Sequence, residues 1–305
     1  MRKKAQFLVP TVVSFLEDGS VDFAGTAAVA EHLIAGGVDG MLVMGSTGEF
    51  YSMTMQQKKA LALATVKTVD HRVRLFFGTN CMRKDDTIEF SNFCIDAGAD
   101  GVMIIGPYYF GVGAAGLEAY YDDLCDAIHG NVFLYNYPER TGYDFDPQIA
   151  YRLLKKHKNI KGFKDSHSQF AHTRTLAELT REEFPEFELY SGYDENLLHL
   201  VMSGGTGCIG GLGNIYPDIC AGWAAAVNGG NLDTIEAYQK IINRMSGFYD
   251  IGGPFMSLCK EAMIRRGVAV SPYCLHPVQR PTEAECEKIT AWIKEIDKMA
   301  AELPR

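Results

Sequence analysis

Short, continuously apolar runs alternate with stretches of helical hydrophobic spacing along most of this chain, and this alternation limits the possible folds more than any other feature. Residues 7–13 form a β-rich run, and residues 23–35 carry apolar side chains at helical spacing. Further runs predict strands at 41–44, 75–78, 101–105, 132–135, 160–164, 187–192 and 207–211. Because strands that are buried on both faces read as continuous apolar runs, the pattern predicts a parallel sheet. Roughly eight strand–helix units are present, the number that closes a (β/α)8 TIM barrel in the α/β class.

The pattern changes near residue 231, where strands cease and only helical spacing remains. Helices are predicted at 232–246, 253–266 and 282–301, with turns at the intervening glycine and proline residues. We therefore expect a TIM-barrel catalytic domain over residues 1–230 and a C-terminal helical appendage over residues 231–305.

Composition and charge exclude several function classes. The net charge is -9 and long basic runs are missing, so a nucleic-acid partner is not expected. No apolar run approaches the length that crosses a bilayer, so no membrane partner is expected either. The eight cysteines are scattered without a CxxC pair or a histidine at zinc spacing, which predicts neither a disulfide framework nor a metal site. A reducing, cytoplasmic location follows as the expectation.

Two successive strands in the middle of the chain end in side chains with useful chemistry, Tyr135 and Lys164. The carboxyl ends of parallel strands point toward the ligand crevice, so a phenol and an amine would meet there. Burial disfavours a charged lysine, and the free amine can add to a ketone to form a Schiff base while the phenol carries the proton. The alternative is a tyrosine that caps the core and a solvated lysine.

Other motifs allow both a functional and an ordinary interpretation. The run 45–49 (GSTGE) places two hydroxyls and several backbone N–H groups where a small carboxylate can bind, or it is a simple capped loop. Arg140 can bind a carboxylate with both nitrogens, or it is a surface residue. Asp194 and Glu195 can bind sugar hydroxyls, or they are acids at a helix N-terminus. The glycines at 205, 207 and 210 match GxGxxG, but a helical segment precedes them, which argues against dinucleotide binding.

The combination of motifs is more specific than its parts, and it resembles the dihydrodipicolinate synthase / N-acetylneuraminate lyase family. The resemblance covers essentially the whole chain and implies a pyruvate-dependent class I aldolase on a TIM barrel, with no metal or organic cofactor. The matching motifs, in order, are Gly45-Ser46-Thr47-Gly48-Glu49, Pro107-Tyr108-Tyr109, Tyr135-Asn136-Tyr137-Pro138-Glu139-Arg140-Thr141-Gly142, Gly162-Phe163-Lys164-Asp165 and Ser191-Gly192-Tyr193-Asp194-Glu195.

The resemblance also implies roles for individual residues. Lys164 would form the Schiff base with pyruvate, and Tyr135 would relay protons to it. Ser46 would link Tyr135 to Tyr109, which in this family comes from the neighbouring subunit, so the resemblance implies a homo-oligomer, a dimer of dimers. The implied substrate-binding residues are Thr47 with the Ser46 backbone for the pyruvate carboxylate, the Ile209 carbonyl facing pyruvate, and Arg140, Ser166, Asp194 and Glu195.

The second substrate, an aldehyde or the corresponding 2-keto acid, divides the family into branches. Asp194 and Glu195 resemble the sialic acid lyases, although Gly211 stands where those lyases have a serine. Arg140 resembles the synthases, whose arginine binds aspartate semialdehyde. The segments around Tyr135 and Ser166 resemble 2-keto-3-deoxygluconate aldolases. We expect a carbon–carbon lyase with a sugar-acid substrate, ahead of a dihydrodipicolinate synthase and ahead of a non-catalytic sensor on the same fold.

Overall fold

The computed structural model describes residues 3–303, in which strands and helices alternate from the start. The strands are β1 Gln6–Pro10, β2 Gly40–Val43, β3 Arg74–Gly78, β4 Gly101–Ile105, β5 Val132–Asn136, β6 Ile160–Asp165, β7 Glu188–Ser191 and β8 Gly207–Ile209. The helices are α1 Phe23–Ala35, α2 Met55–Val69, α3 Lys84–Ala97, α4 Gly113–Ala127, α5 Pro138–Thr141, α6 Pro147–Lys156, α7 Phe170–Thr180, α8 Leu197–Met202, α9 Pro217–Gly229, α10 Leu232–Met245, α11 Phe255–Arg265 and α12 Glu283–Ala300.

The strands form one closed barrel in the order in which they occur in the chain, β1 to β8. The predicted fold class is therefore confirmed. Neighbouring strands are parallel, and β5 pairs with β6 so that Tyr135 lies opposite Lys164 and Asn136 lies opposite Asp165. Within residues 3–303, three α-helices follow α9, as the change of pattern near residue 231 predicts.

Contacts within the chain divide it into two compact units. The first contains Leu75–Ile209 together with the start of the chain. Aromatic rings fill its core: the rings of Phe76 and Phe133 meet edge to face at 4.8 Å, and Phe145 and Phe163 do so at 5.2 Å. Since β5 and β6 both belong to this unit, their register is fixed by packing within it.

The second unit contains Gln6–Arg74 and the part of the chain from Gly210 onward. Its C-terminal helices pack through aromatic contacts, in which the ring of Trp292 lies 4.7 Å from Phe248 and 5.6 Å from Tyr216. The first strand and helix therefore belong to the same compact unit as the C-terminal helices. The boundary at residue 230 stays a prediction.

Three helices, α5, α7 and α9, lack a counterpart in the sequence prediction. Helix α7 buries threonines as well as apolar residues, so its hydrophobic stripe is weak in the sequence. Helix α9 is apolar on most of its faces and contains a glycine, which hides the amphipathic spacing. Strand β1 ends at Pro10 rather than Val13, because the following buried residues leave the ladder. Within residues 3–303, no helix has the length and apolar character needed to cross a membrane.

Candidate active site

Tyr135 and Lys164 meet at the carboxyl ends of β5 and β6. Their side chains are buried, with 7% and 5% of each residue exposed, and Lys164 Nζ lies 4.6 Å from the centre of the Tyr135 ring. Lys161, three residues earlier on the same strand, is exposed. Because successive side chains of a strand alternate between its faces, an odd spacing puts these two lysines on opposite sides. The structure thus brings together the pair that the sequence predicts.

Burial changes the chemistry of this lysine. It lowers the pKa of Lys164 to about 8, and the weaker opposing influences of Cys208, Tyr137 and Asp194 do not restore the ordinary value. At neutral pH roughly a tenth of the amine is then unprotonated, far more than for a solvated lysine. No carboxylate forms an ion pair with Lys164 in the described part of the chain. An amine in this state can attack a carbonyl carbon.

Ser166 lies directly beside the phenol. Its hydroxyl donates a hydrogen bond of 3.4 Å to the Tyr135 hydroxyl, and both residues are buried. Gly192, at the end of β7, makes the space for this contact, because a Cβ atom there would lie 1.9 Å from Ser166 Oγ. Ser166 therefore contacts Tyr135, one of the two residues predicted to react, and its substrate-binding role stays a prediction.

Arg140 lies in the four-residue helix α5 rather than in an irregular loop. The helix begins with Pro138 and ends before Gly142, whose φ of 78° favours glycine. The exposed guanidinium lies 5.4 Å from the centre of the Tyr137 ring, and it forms no ion pair within residues 3–303. An arginine held on an aromatic ring with free donors can bind an anion.

Asp194 and Glu195 begin the 3-10 turn Asp194–Asn196 after β7. Asp194 is buried, and its charge acts on the pKa of Lys164, whereas Glu195 is half-buried. The position of the pair therefore agrees with both interpretations of the sequence. The acids start a helical turn, as helix N-terminal residues do, and Asp194 lies near the Lys164 amine, where it could bind a sugar hydroxyl.

Tyr193 and Glu139 are two residues that the sequence prediction did not single out. The Tyr193 hydroxyl donates to Glu139 Oε1 at 3.4 Å, and burial is the main reason that the pKa of Tyr193 rises to about 12. Glu139 precedes Arg140 inside the quoted motif, but nothing in a single sequence indicates that it pairs with a tyrosine 54 residues later. The contact joins the segments after β5 and β7.

Ser46 and Thr47 lie in the second unit, in the 3-10 turn Ser46–Gly48 that follows β2. Both side chains are half-buried, and the turn stands between a strand and helix α2, as predicted. Glu49 closes the turn with a φ of 58°, a left-handed conformation that few residues other than glycine adopt. The turn is therefore held in a defined conformation.

Tyr109 and Ile209 occupy very different environments within the first unit. Ile209 ends β8 and is 1% exposed. Tyr109 follows β4, has a φ of 85°, and is 82% exposed beside Phe110, which is 73% exposed. The structure of one chain thus leaves Tyr109 outside the core. A residue that acts in a neighbouring subunit would have this exposure.

Comparison with known proteins agrees with this geometry. The model of the dihydrodipicolinate synthetase family matches residues 3–296. The chain belongs to this family. The enzymes of the family are class I lyases that form a Schiff base between a lysine and pyruvate, and this protein is one of them.

Two curated relatives from Escherichia coli strain K12 match nearly end to end. The first, named "Putative 2-dehydro-3-deoxy-D-gluconate aldolase YagE", is 33% identical over 288 residues, which cover 93% of this chain and 95% of that protein. The second, named "Probable 2-dehydro-3-deoxy-D-pentonate aldolase YjhH", is 33% identical over 289 residues, covering 95% of this chain and 96% of that protein. The crystal structure of YagE in complex with pyruvate superimposes with a TM-score of 0.93 at 32% identity and covers 96% of this chain and 98% of that chain.

A synthase also matches, over less of its length. The 4-hydroxy-tetrahydrodipicolinate synthase of Kosmotoga olearia is 30% identical over 239 residues, covering 78% of this chain and 81% of that protein. The family and the barrel predicted from the sequence are confirmed, and the synthase alternative has less support than the sugar-acid aldolases.

Proposed function

We propose that this family member is a 2-dehydro-3-deoxy sugar-acid aldolase, which splits its substrate into pyruvate and an aldehyde or joins the two. The observation that carries the proposal is the buried Lys164 amine with its lowered pKa next to the Tyr135 phenol. The choice of sugar acid rests on YagE and YjhH, whose names state such substrates and which match over more than nine tenths of the chain.

The residues then act in a definite order. The free amine of Lys164 adds to C2 of the keto acid and water leaves, which gives an imine. Tyr135, which has given its proton to the departing water, then accepts the proton of the C4 hydroxyl. The C3–C4 bond breaks, the aldehyde departs, and the electron pair of that bond forms an enamine. A proton returns to C3, and water releases pyruvate from Lys164. The reverse sequence forms the bond.

Further groups hold the substrates in this proposal. Thr47 and the backbone of Ser46 bind the pyruvate carboxylate, the Ile209 carbonyl faces pyruvate, and Ser46 links Tyr135 to Tyr109 of a neighbouring subunit. Ser166, Asp194 and Glu195 contact the hydroxyls of the sugar chain. The enzyme works as a cytoplasmic homo-oligomer, a dimer of dimers.

Arg140 favours a second candidate, 4-hydroxy-tetrahydrodipicolinate synthase. Its guanidinium has no ion pair in the described residues and can take the carboxylate of aspartate semialdehyde. A sugar acid supplies no second carboxylate for this residue, so the two candidates differ in what Arg140 binds.

One panel of assays separates the candidates. Pyruvate release is measured with 2-dehydro-3-deoxy-gluconate, 2-dehydro-3-deoxy-pentonate and N-acetylneuraminate, and condensation is measured with pyruvate and aspartate semialdehyde. The proposal expects the highest kcat/KM with one of the two deoxy sugar acids. Faster condensation with aspartate semialdehyde would identify a synthase. A catalytically silent sensor would turn over none of them.

A further inference from the structure

A cluster of polar side chains lies on the opposite side of β5 and β6 from the reacting pair. Asn136 follows Tyr135 and Asp165 follows Lys164, and the two form the next rung of the ladder. Since neighbouring side chains alternate between strand faces, Asn136 and Asp165 point away from the phenol and the amine. They are 2% and 1% exposed, and Asn136 Nδ2 donates to Asp165 Oδ1 at 3.0 Å.

Helix α7 completes this cluster. Asp165 Oδ2 accepts from His172 Nδ1 and from Thr173 Oγ1, each at 2.7 Å. The carboxylate thus has partners on both oxygens, which offsets the cost of burying its charge. Strand β6 is thereby tied to the start of the helix that follows it.

The polar atoms of the Asn136 side chain are likewise all hydrogen-bonded. Its amide nitrogen also donates to Asp144 Oδ1 at 2.9 Å, and its amide oxygen accepts from the Phe145 N–H at 3.1 Å. These bonds connect the end of β5 to the segment before α6. A side chain with this many partners has one orientation, so the end of β5 has one position relative to β6.

His172 is the imidazole partner of Asp165 in the cluster. Its Nε2 lies 3.1 Å from the Phe145 carbonyl and 3.3 Å from Asp144 Oδ1, so acceptors face both ring nitrogens. Burial lowers the pKa of His172, but its hydrogen bond to Asp165 and the charges of Asp165 and Asp144 outweigh burial and raise the pKa overall. The His167 ring stacks on it at 4.7 Å. The two carboxylates thus favour the protonated form of the His172 ring, and both of its nitrogens face acceptors.

We propose that Asn136, Asp165, His172 and Thr173 form a positioning cluster that fixes the distance and angle between Tyr135 and Lys164. All four belong to the cluster on the face of the strands away from the phenol and the amine, so they act through the strand ends. The inference rests on the proposed Schiff-base function of Lys164. Its physical basis is that a misplacement of about 1 Å between reacting groups can cost about 100-fold in rate.

The chain offers a matched pair of asparagines to test this role. Asn159 lies at the other end of β6, and its Nδ2 donates to the carbonyls of Cys125 and Ile128 at 2.9 and 3.0 Å. Rapid quenching with borohydride and pyruvate gives the rate of imine formation, and thermal unfolding gives stability. We expect Asn136→Ala to slow imine formation about 10- to 100-fold. Asn159→Ala should lower Tm comparably yet stay within about twofold of the wild-type rate.

A matched pair of threonines on α7 gives a milder test if Asn136→Ala does not fold. Thr180 is buried like Thr173, but its hydroxyl donates to the Leu176 carbonyl within the helix. Thr173→Val should slow imine formation at least about fivefold, because the strand end shifts. Thr173→Ser should restore the rate, and Thr180→Val should leave it unchanged. The KM for pyruvate should change little in all three variants.

The possible outcomes separate two failures. If wild-type protein gives no adduct on Lys164, the proposed function fails. If wild-type protein is trapped on Lys164 but Asn136→Ala and Thr173→Val are trapped equally fast, the cluster is structural only and this inference is wrong.

Discussion

Lys164 shows how burial can prepare a single residue for the proposed reaction. Its strand is apolar on the buried side, its amine stands over a tyrosine ring, and no carboxylate in the described part of the chain neutralises it. Desolvation therefore dominates and lowers the pKa to about 8. The same position that makes the charged form unfavourable makes the neutral nucleophile available.

Trapping with borohydride and pyruvate should place the adduct on Lys164. Lys164→Ala should abolish both adduct and turnover, and Lys161→Ala, on the exposed side of the strand, is the control that should keep both. Because the pKa is lowered to about 8, the unprotonated fraction and the trapping rate should rise about tenfold per pH unit below 8 and level off above it. A rate that keeps rising toward pH 10 would contradict the lowered pKa.

Tyr135→Phe removes the proton carrier but keeps the ring beside Lys164. Imine formation and carbon–carbon cleavage should slow by about 10²- to 10⁴-fold, the range for a positioned acid or base, while pyruvate still binds. Tyr151→Phe on α6, whose hydroxyl pairs with Glu183, should not change the rate. Rapid-quench experiments measure the rate of imine formation in both variants. If Tyr135→Phe reacts as fast as the control Tyr151→Phe, Tyr135 is not part of the mechanism.

Arg140→Ala tests the contact with the second substrate. If the guanidinium binds the acceptor, kcat/KM for the aldehyde or sugar acid should fall about 10- to 100-fold, the value of one charge-assisted hydrogen bond. Imine formation with pyruvate should stay intact. Arg152→Ala, which removes a surface arginine paired with Glu118, is the control. An unchanged kcat/KM would mean that Arg140 is only a surface residue.

At the scale of elements, the turn after β2 depends on the C-terminal helices. Lys260 on α11 donates to Glu49 Oε1 at 2.7 Å and to the Tyr273 carbonyl at 2.8 Å, and the Leu275 N–H donates to Glu49 Oε2 at 2.6 Å. The side chains of Glu49 and Lys260 are fully buried. The helical region therefore holds the end of the turn that carries Ser46 and Thr47.

Removing one partner of this buried ion pair should be costly. Lys260→Met leaves Glu49 without its cation and should lower the free energy of unfolding by about 3–5 kcal/mol. Arg244→Met breaks the exposed pair with Glu295 and should cost no more than about 1 kcal/mol. Urea titrations of the two variants give both values. If both variants lose the same free energy of unfolding, burial does not determine how much the Glu49–Lys260 pair contributes to stability.

At the scale of the whole molecule, the loop after β4 exposes an aromatic surface that the single chain does not cover. Tyr109 and Phe110 stack edge to face at 5.0 Å, and both are largely exposed. Exposed apolar surface of this kind is typical of contact surfaces between proteins. The proposed homo-oligomer, in which Tyr109 enters the neighbouring active site, would cover it.

Sedimentation should give the mass of a tetramer of 33.7 kDa chains. Phe110→Asp should shift the protein toward smaller species and reduce turnover, because the interface and the relay both depend on this loop. Leu232→Asp alters a residue of similar exposure at the start of α10 and is the control. A fully active monomer would contradict the assembly.

The sequence by itself determined the barrel and predicted the proposed reacting pair, because both depend on local patterns. Strand β4 and helix α1 have the predicted bounds, and the predicted strand ends carry Tyr135 and Lys164. Parallel strands send their carboxyl ends to one edge, so position along a strand predicts the catalytic edge without coordinates. Helices α7 and α9 lack a clear apolar stripe and escaped prediction for that reason.

Only the tertiary structure decided the environment of those residues. Glu49 and Lys260 are 211 positions apart, and the contact between Asn136 and Asp165 depends on the register of two strands. The pKa of Lys164 likewise follows from the atoms packed around it and not from its neighbours in sequence. Local patterns specify which elements form, whereas burial and long-range pairing arise only when those elements pack together.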